Sequence, residues 1–171
     1  KNKLKRIFNI LLLLPLLPLL LPAILILRII KPIITIRLGN LESEGIGHFS
    51  QPIEIYLSEI ECGVHKNSKA IDLWYLHKDI CNKALKDKWC EHVNILPRII
   101  QPLHLINKLI PGGKDNEIPY RRITDKENPW QMIDIHNVLL QTEPKIIFSE
   151  EEKLECSKIL KSIGFSSTKK Y

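Results

Sequence analysis

The longest uninterrupted apolar stretch lies near the amino end. From Ile10 to Leu27 there are 18 residues without a charge, nearly all leucine, isoleucine or proline. Ile7, Phe8 and Asn9 extend it to the roughly 20 residues that a bilayer crossing needs. Pro15, Pro18 and Pro22 fall three and four apart, on one side of a helix. Each removes a backbone donor, and in hydrocarbon that loss needs compensation. Three readings therefore stand side by side. The length favours a spanning helix. The prolines favour a re-entrant or interfacial segment. A cleaved signal peptide fits least, because no A-x-A-like site follows Leu27.

Beyond residue 31 the pattern changes to alternating strands and helices. Ile33 to Leu38 is β-branched and stopped by Gly39-Asn40, which predicts a strand. Phe49, Ile53, Tyr56, Leu57 and Ile60 recur at helical spacing within His48 to Ile60. Ile71 to His77 predicts a second strand, Asn82 to Val93 a polar-faced helix, and Val93 to Leu96 a short strand before Pro97. Ile99 to Leu109 predicts an apolar helix halted by Pro111-Gly112-Gly113. Ser149 to Ile163 carries the strongest helix signals. Ser149 and Glu152 form a capping box, acids fill the first turn, and Gly164 stands at the C-terminal cap. The pattern weakens between Pro111 and Thr142. This alternation predicts an α/β fold, a Rossmann-like domain with a mostly parallel sheet, preceded by an N-terminal hydrophobic membrane helix. The division is 1–31 for the membrane segment and 32–171 for the body. The chain begins with Lys and ends at Tyr171, where the alternation asks for another strand. The expectation is a domain truncated at its C-terminus.

Charge sharpens this division. The chain carries +6 overall, yet seven bases and no acid precede Glu42. That leaves eighteen bases against nineteen acids, so the body is close to neutral. A nucleic-acid binder would carry a basic face on its body, so no nucleic-acid partner is expected. Lys1, Lys3, Lys5 and Arg6 favour a cytoplasmic amino end, although Arg28 and Lys31 follow the apolar run directly and weaken the bias. Cys62, Cys81, Cys90 and Cys156 form no C-x-x-C pair. They predict no metal site, and buried or half-buried thiols in a reducing compartment. Glu54 and Glu59 read as a solvated helix face.

The candidate chemistry sits in three places. Gly39 to His48 (GNLESEGIGH) follows the first strand, and in open α/β sheets ligands bind beyond the carboxyl ends of strands. Gly45 and Gly47 let a backbone approach a ligand closely, and the next helix start can hold phosphate. His48 at that start could donate to phosphate or act as a base. The plain alternative is a glycine-rich turn with a surface histidine. The second place is Gly112, Gly113 and Lys114, which either line a cleft or simply stop a helix. The third is Arg121-Arg122, together with Arg37, for phosphate or carboxylate contacts. No P-loop, H-E-x-x-H or full G-x-G-x-x-G motif occurs.

Taken in order, Ile36-Arg37-Leu38-Gly39, Gly45-Ile46-Gly47-His48-Phe49 and Glu54-Ile55-Tyr56-Leu57 resemble a family of predicted glycosyltransferases from bacterial surface-polysaccharide (lipopolysaccharide, O-antigen, capsule) clusters. In that family a strand ending R-x-G leads to a "RIGH" turn and a helix containing "E-x-Y-L". Asp72-Leu73, Ile80-Cys81-Asn82, Asn107, Pro111-Gly112-Gly113 and Phe148-Ser149-Glu150-Glu151-Glu152 continue the likeness, which covers most of Pro32 to Gly164. Gly45 departs from it, since the family pattern has arginine there. The resemblance implies a GT-B fold of two Rossmann-like domains, of which this chain holds the N-terminal, acceptor-side one. It implies a membrane-associated transferase that moves a sugar from a nucleotide-sugar donor to a lipid-linked or glycan acceptor, with no further cofactor. The body would lie on the cytoplasmic side of the bacterial inner membrane, with membrane lipid as a partner. The alternatives are a non-catalytic membrane-anchored adaptor of a polysaccharide assembly complex and a lipid-phosphate-binding module.

Overall fold

The computed structural model describes residues 14–65, 69–119 and 134–165. Its centre is a three-stranded parallel sheet in the order β1-β2-β3. β1 is Thr35–Leu41, β2 is Ala70–Leu76 and β3 is Asn94–Leu96. Helix α2, Ile46–Glu61, connects β1 to β2, and α3, Lys83–Cys90, connects β2 to β3. After β3 a 3-10 turn, Arg98–Ile100, leads into α4, Gln101–Leu109. The α/β class and parallel sheet expected from the alternation are present.

β1 runs further than its sequence suggests. The strand continues through Gly39 and Asn40 to Leu41. A Cβ on Gly39 would stand 2.7 Å from the Ile118 Cδ1 and 3.0 Å from the Trp74 ring. This glycine therefore marks a close approach inside a strand, not its end.

Period-two alternation sorts the two faces. Register pairs Arg37 with Asp72, Gly39 with Trp74 and Leu41 with Leu76. Leu41, Trp74 and Leu76 form a core with Phe49, Ile53 and Tyr56 of α2, Trp89 of α3, and Ile118. Burying each side chain of this size contributes about 1.5–3 kcal/mol. The Trp89 indole N–H donates to the Phe49 carbonyl at 3.0 Å, so its burial leaves no orphan donor. On the other face Tyr75 meets His104 of α4, hydroxyl to Nδ1, at 3.0 Å. Two crossovers advancing in one direction place both helices on one face. When the chain turns back past β1, its helix falls on the other.

That return ends beside β1. α4 stops at Ile110, and Gly112 adopts φ +79°. A Cβ on Gly113 would lie 1.9 Å from the Asn107 carbonyl oxygen. Both glycines are required by the turn itself. The chain then pairs Glu117 in parallel with Leu38, and the Ile118 N–H donates to the Leu38 carbonyl at 3.2 Å.

Of the apolar run, Ile7 to Leu13 lie outside the described residues, and the part from Leu14 to Leu27 does not form a spanning helix. Among the described residues no helix is long and apolar enough to cross a membrane. A 3-10 turn, Leu14–Leu16, leads into α1, Leu17–Ile30. At 1.5 Å per residue its 14 residues span about 21 Å. α1 buries Ile24 and Leu27 against the body. Arg28 donates to Asn107 Oδ1 at 3.0 Å, and Lys31 pairs with Asp115 at 2.5 Å. The bases that follow the run thus fasten it to the body.

Two further expectations are corrected. All four thiols are exposed rather than buried. Glu54 and Glu59 do not form a solvated face. Glu54 Oε1 accepts from the Lys145 N–H at 2.7 Å, and Glu59 Oε2 meets His65 Nε2 at 2.7 Å. Through Lys145, and through His136 at 3.9 Å from Glu59 Oε1, they help hold a strap, residues 134–148, against α2. Val138 of that strap is buried, and its Thr142 donates to the Ser58 hydroxyl at 2.8 Å. α5, Glu150–Ser162, follows with its capping box formed.

Candidate functional site

The carboxyl edge of the sheet carries the first candidate loop. β1 ends at Leu41 and α2 starts at Ile46, so four residues make the link. Ser43 is fully buried there. Its hydroxyl donates to the Asp79 carbonyl at 2.7 Å, and its own carbonyl accepts from the Cys81 N–H at 2.8 Å. The His77 N–H donates to the Leu41 carbonyl at 3.2 Å, while His77 Nδ1 lies 3.1 Å from Glu44 Oε1. The loops after β1 and β2 are thereby bound into one edge.

Past Glu44 the character changes. Gly45 is the N-cap of α2, extended at φ −129° and ψ 134°, and no side chain caps the helix. The N–H groups of Ile46 and Gly47 have no partner within the helix, and they point where the macrodipole favours an anion. A Cβ on Gly45 would make only ordinary contact, 3.4 Å from the His48 ring. A Cβ on Gly47 would meet nothing within 4 Å. Neither position has positive φ. No protein atom requires glycine at either place, so the space they leave is open to another molecule. His48, half-buried, stands in this first turn.

The loop also lies where strand order reverses. The chain moves from β1 to β2 and β3, then returns to the opposite side of β1 at Glu117. Crevices at such reversals are where open α/β sheets bind ligands. Beside the loop is a half-open cleft of about 600 Å³. Ile46 and Ser50 of α2, Leu85 and Lys88 of α3, and Ile146 and Phe148 of the strap line it. At its rim Lys88 pairs with Glu152 at 3.0 Å. That contact holds the Glu152 carboxyl below the usual range, after the larger effect of the Ser149 backbone N–H.

The remaining candidates are dispersed. Arg37 is buried and directed into the α2 face. Its Nε and Nη2 donate to Asp72 Oδ1 and Oδ2 at 2.6 and 2.8 Å, and Nη2 also donates to the Tyr56 hydroxyl at 2.9 Å. Tyr56 in turn donates to Asp72. Burial, then the hydrogen bond to Asp72, drives the Tyr56 phenol far above its ordinary range. This closed triad leaves Arg37 committed within the fold. Gly112, Gly113 and Lys114 precede the segment parallel to β1, so they lie toward the amino edge of the sheet, away from His48. Lys114 is exposed there. Arg121 and Arg122 lie outside the described residues. The structure thus gathers Gly45, Gly47 and His48 and separates them from Arg37, Gly112, Gly113 and Lys114.

Sequence reasoning missed Ser43, Glu44 and His77. Their signal was positional, since each lies within a few residues of a parallel strand's carboxyl end. Asp72 and Tyr56, which hold Arg37, stand 35 and 19 residues away, beyond the reach of local pattern. No family model, curated protein or solved structure matches the chain.

Proposed function

We propose that the protein is a membrane-associated glycosyltransferase and that the described body is its acceptor-side domain. The observation that carries this reading is the loop 42–48. It stands at the carboxyl end of β1 where strand order reverses, with two glycines that nothing in the protein requires. On this reading the sheet is one end of a Rossmann-like domain, with β1 beside the switch point and the Glu117 segment in the fourth-strand position. The ordered motif resemblance across residues 32–164 supplies the reaction class. The donor would be a nucleotide sugar, and the acceptor a lipid-linked or glycan hydroxyl at the cytoplasmic face of a bacterial inner membrane.

The chemistry follows from the groups present. An acceptor hydroxyl attacks the anomeric carbon of the donor. A carbon–oxygen bond forms there, the bond from that carbon to the phosphate oxygen breaks, and the nucleotide phosphate leaves. The hydroxyl proton needs a base near neutral pH, and His48 is suited to take it. The α2 N–H groups stabilise negative charge on a phosphate beside it. The half-buried position of His48 allows both access to solvent and contact with a bound acceptor.

The test uses the intact protein in its native membrane, supplied with labelled nucleotide sugars. Product should form with the native chain, and His48→Ala should lower kcat at least a hundredfold, within the usual worth of a general base. Turnover undiminished by His48→Ala would remove the catalytic role. Absence of any product with a broad donor set, despite a correctly folded protein, would remove the transferase reading.

A further inference from the structure

We infer that α1 is an in-plane membrane helix, with one side welded to the body and the other embedded in the interfacial region of an anionic bilayer. This rests on the membrane part of the preceding proposal and is independent of its chemistry. α1 has no charged residue from Leu17 to Leu27 and is apolar around its whole circumference. Such a helix needs cover on all sides. The body covers one arc, where Ile24 and Leu27 are buried. Pro18, Leu19, Leu21, Pro22, Leu25, Ile26 and Ile29 are exposed. At 100° per residue they fill one contiguous arc, a little under half of the circumference. Leu19 is 74% exposed and Ile29 65%, so the middle of this arc stands clear of the protein.

Three observations select a lipid surface as the occupant. The first is charge. Of the seven bases before Glu42, Arg28, Lys31 and Arg37 are engaged by the body through Asn107, Asp115 and Asp72. Upstream of the apolar run the sequence carries Lys1, Lys3, Lys5 and Arg6, with no acid among them. Such a cluster next to an apolar helix matches anionic headgroups. The second is the position of the prolines. Pro22 has no N–H, so the Pro18 carbonyl lacks its helical donor. Both prolines lie on the exposed arc. In hydrocarbon that carbonyl would go unsatisfied, whereas at headgroup depth water reaches it. The third is attachment, since Ile24 and Leu27 are buried and Arg28 is bonded to Asn107, so α1 lies fastened along one side to a folded body.

The experiment uses the full chain with Cys62, Cys81, Cys90 and Cys156 replaced by serine, which their exposure permits. It should float with vesicles containing phosphatidylglycerol. On phosphatidylcholine alone, or in high salt, binding should be at least tenfold weaker. Environment-sensitive labels placed singly at Leu19→Cys, Leu25→Cys and Ile29→Cys should report one common, shallow depth. Leu19→Ser, Leu25→Ser and Ile29→Ser combined should lower vesicle binding at least tenfold while the far-ultraviolet circular dichroism stays unchanged. Graded depths along the three labels would show a spanning helix and overturn the inference. So would equal affinity for neutral vesicles, or no flotation because two copies of the chain cover each other's helix. None of these outcomes depends on sugar transfer, so failure here and failure of the transferase reading are distinguishable.

Discussion

Replacing Gly47 by alanine separates what the fold requires from what a ligand requires. The residue lies in the first turn of α2, and an added Cβ meets no heavy atom within 4 Å. Its φ is outside the positive region. Glycine in a helix costs about 0.5–1 kcal/mol against alanine, because the unfolded chain is freer. A first-turn position should return roughly the lower end of that range. Gly47→Ala is therefore expected to raise stability by about 0.5 kcal/mol, or roughly 2 °C in Tm for a domain of this size. If the open space admits a bound phosphate or sugar, the methyl enters it. kcat/KM for transfer should then fall at least tenfold, which corresponds to about 1.4 kcal/mol of transition-state binding. Thermal melting and labelled-sugar turnover on the same preparation measure both. A stabilised variant with unchanged turnover refutes the ligand-approach argument. A variant destabilised by about 1 kcal/mol or more refutes the packing argument. Gly39→Ala supplies the contrast. Its Cβ would press on Ile118 at 2.7 Å and on the Trp74 ring at 3.0 Å, so a loss of about 1–3 kcal/mol is expected.

Three other outcomes follow from the same geometry. Asp72→Asn removes the carboxylate facing a guanidinium whose side chain is 8% exposed, and should cost about 3–5 kcal/mol in urea unfolding; a loss below about 1 kcal/mol would show that Arg37 rehydrates easily. Gly113→Ala drives a Cβ to within 1.9 Å of a backbone oxygen, so the turn must move. It should cost about 2 kcal/mol or more and speed hydrogen exchange at the Ile118 amide; unchanged exchange would show that the turn and the Glu117 pairing are uncoupled. Burial first, then the Lys108 charge, pulls the His104 imidazole down to about 4. The unfolded chain binds that proton near pH 6.5 while the folded one refuses it until about pH 4, so stability should rise between those values, by about 3 kcal/mol. His104→Gln should flatten that slope, and an unaltered slope would assign it elsewhere.

The elements were legible because their periodicities are strong. The helix around Phe49, Ile53, Tyr56 and Ile60 and the capping box at Ser149 lie where local spacing puts them. Boundaries moved where tertiary contact overrides a local signal. Gly39 reads as a stop until Ile118, seventy-nine residues later, packs against it. Gly112 and Gly113 read more readily as a turn than as a cleft, but the positive φ of Gly112 and the approach of Asn107 to Gly113 lie beyond local pattern. Arg37 resembles a ligand-binding arginine because its partner Asp72 belongs to another strand. The apolar run shows how composition can mislead about geometry. Its hydropathy states that water is avoided, but not that one side is met by α4 through Asn107.

Ser43 has a consequence for how the candidate loop responds to a ligand. Its two hydrogen bonds freeze the first half of the link, through Glu44, before anything binds. Gly45, the extended residue before α2, lies beyond those bonds, so the hinge of any induced closure lies at the Glu44–Gly45 peptide and not at the end of β1. The conformational entropy lost on binding is then smaller than that of the whole four-residue link. In native-state hydrogen exchange this divides the loop into two kinetic classes. The Cys81 and His77 amides that rest on it should exchange with the sheet, and the Ile46 and Gly47 amides should exchange fast until an anion arrives.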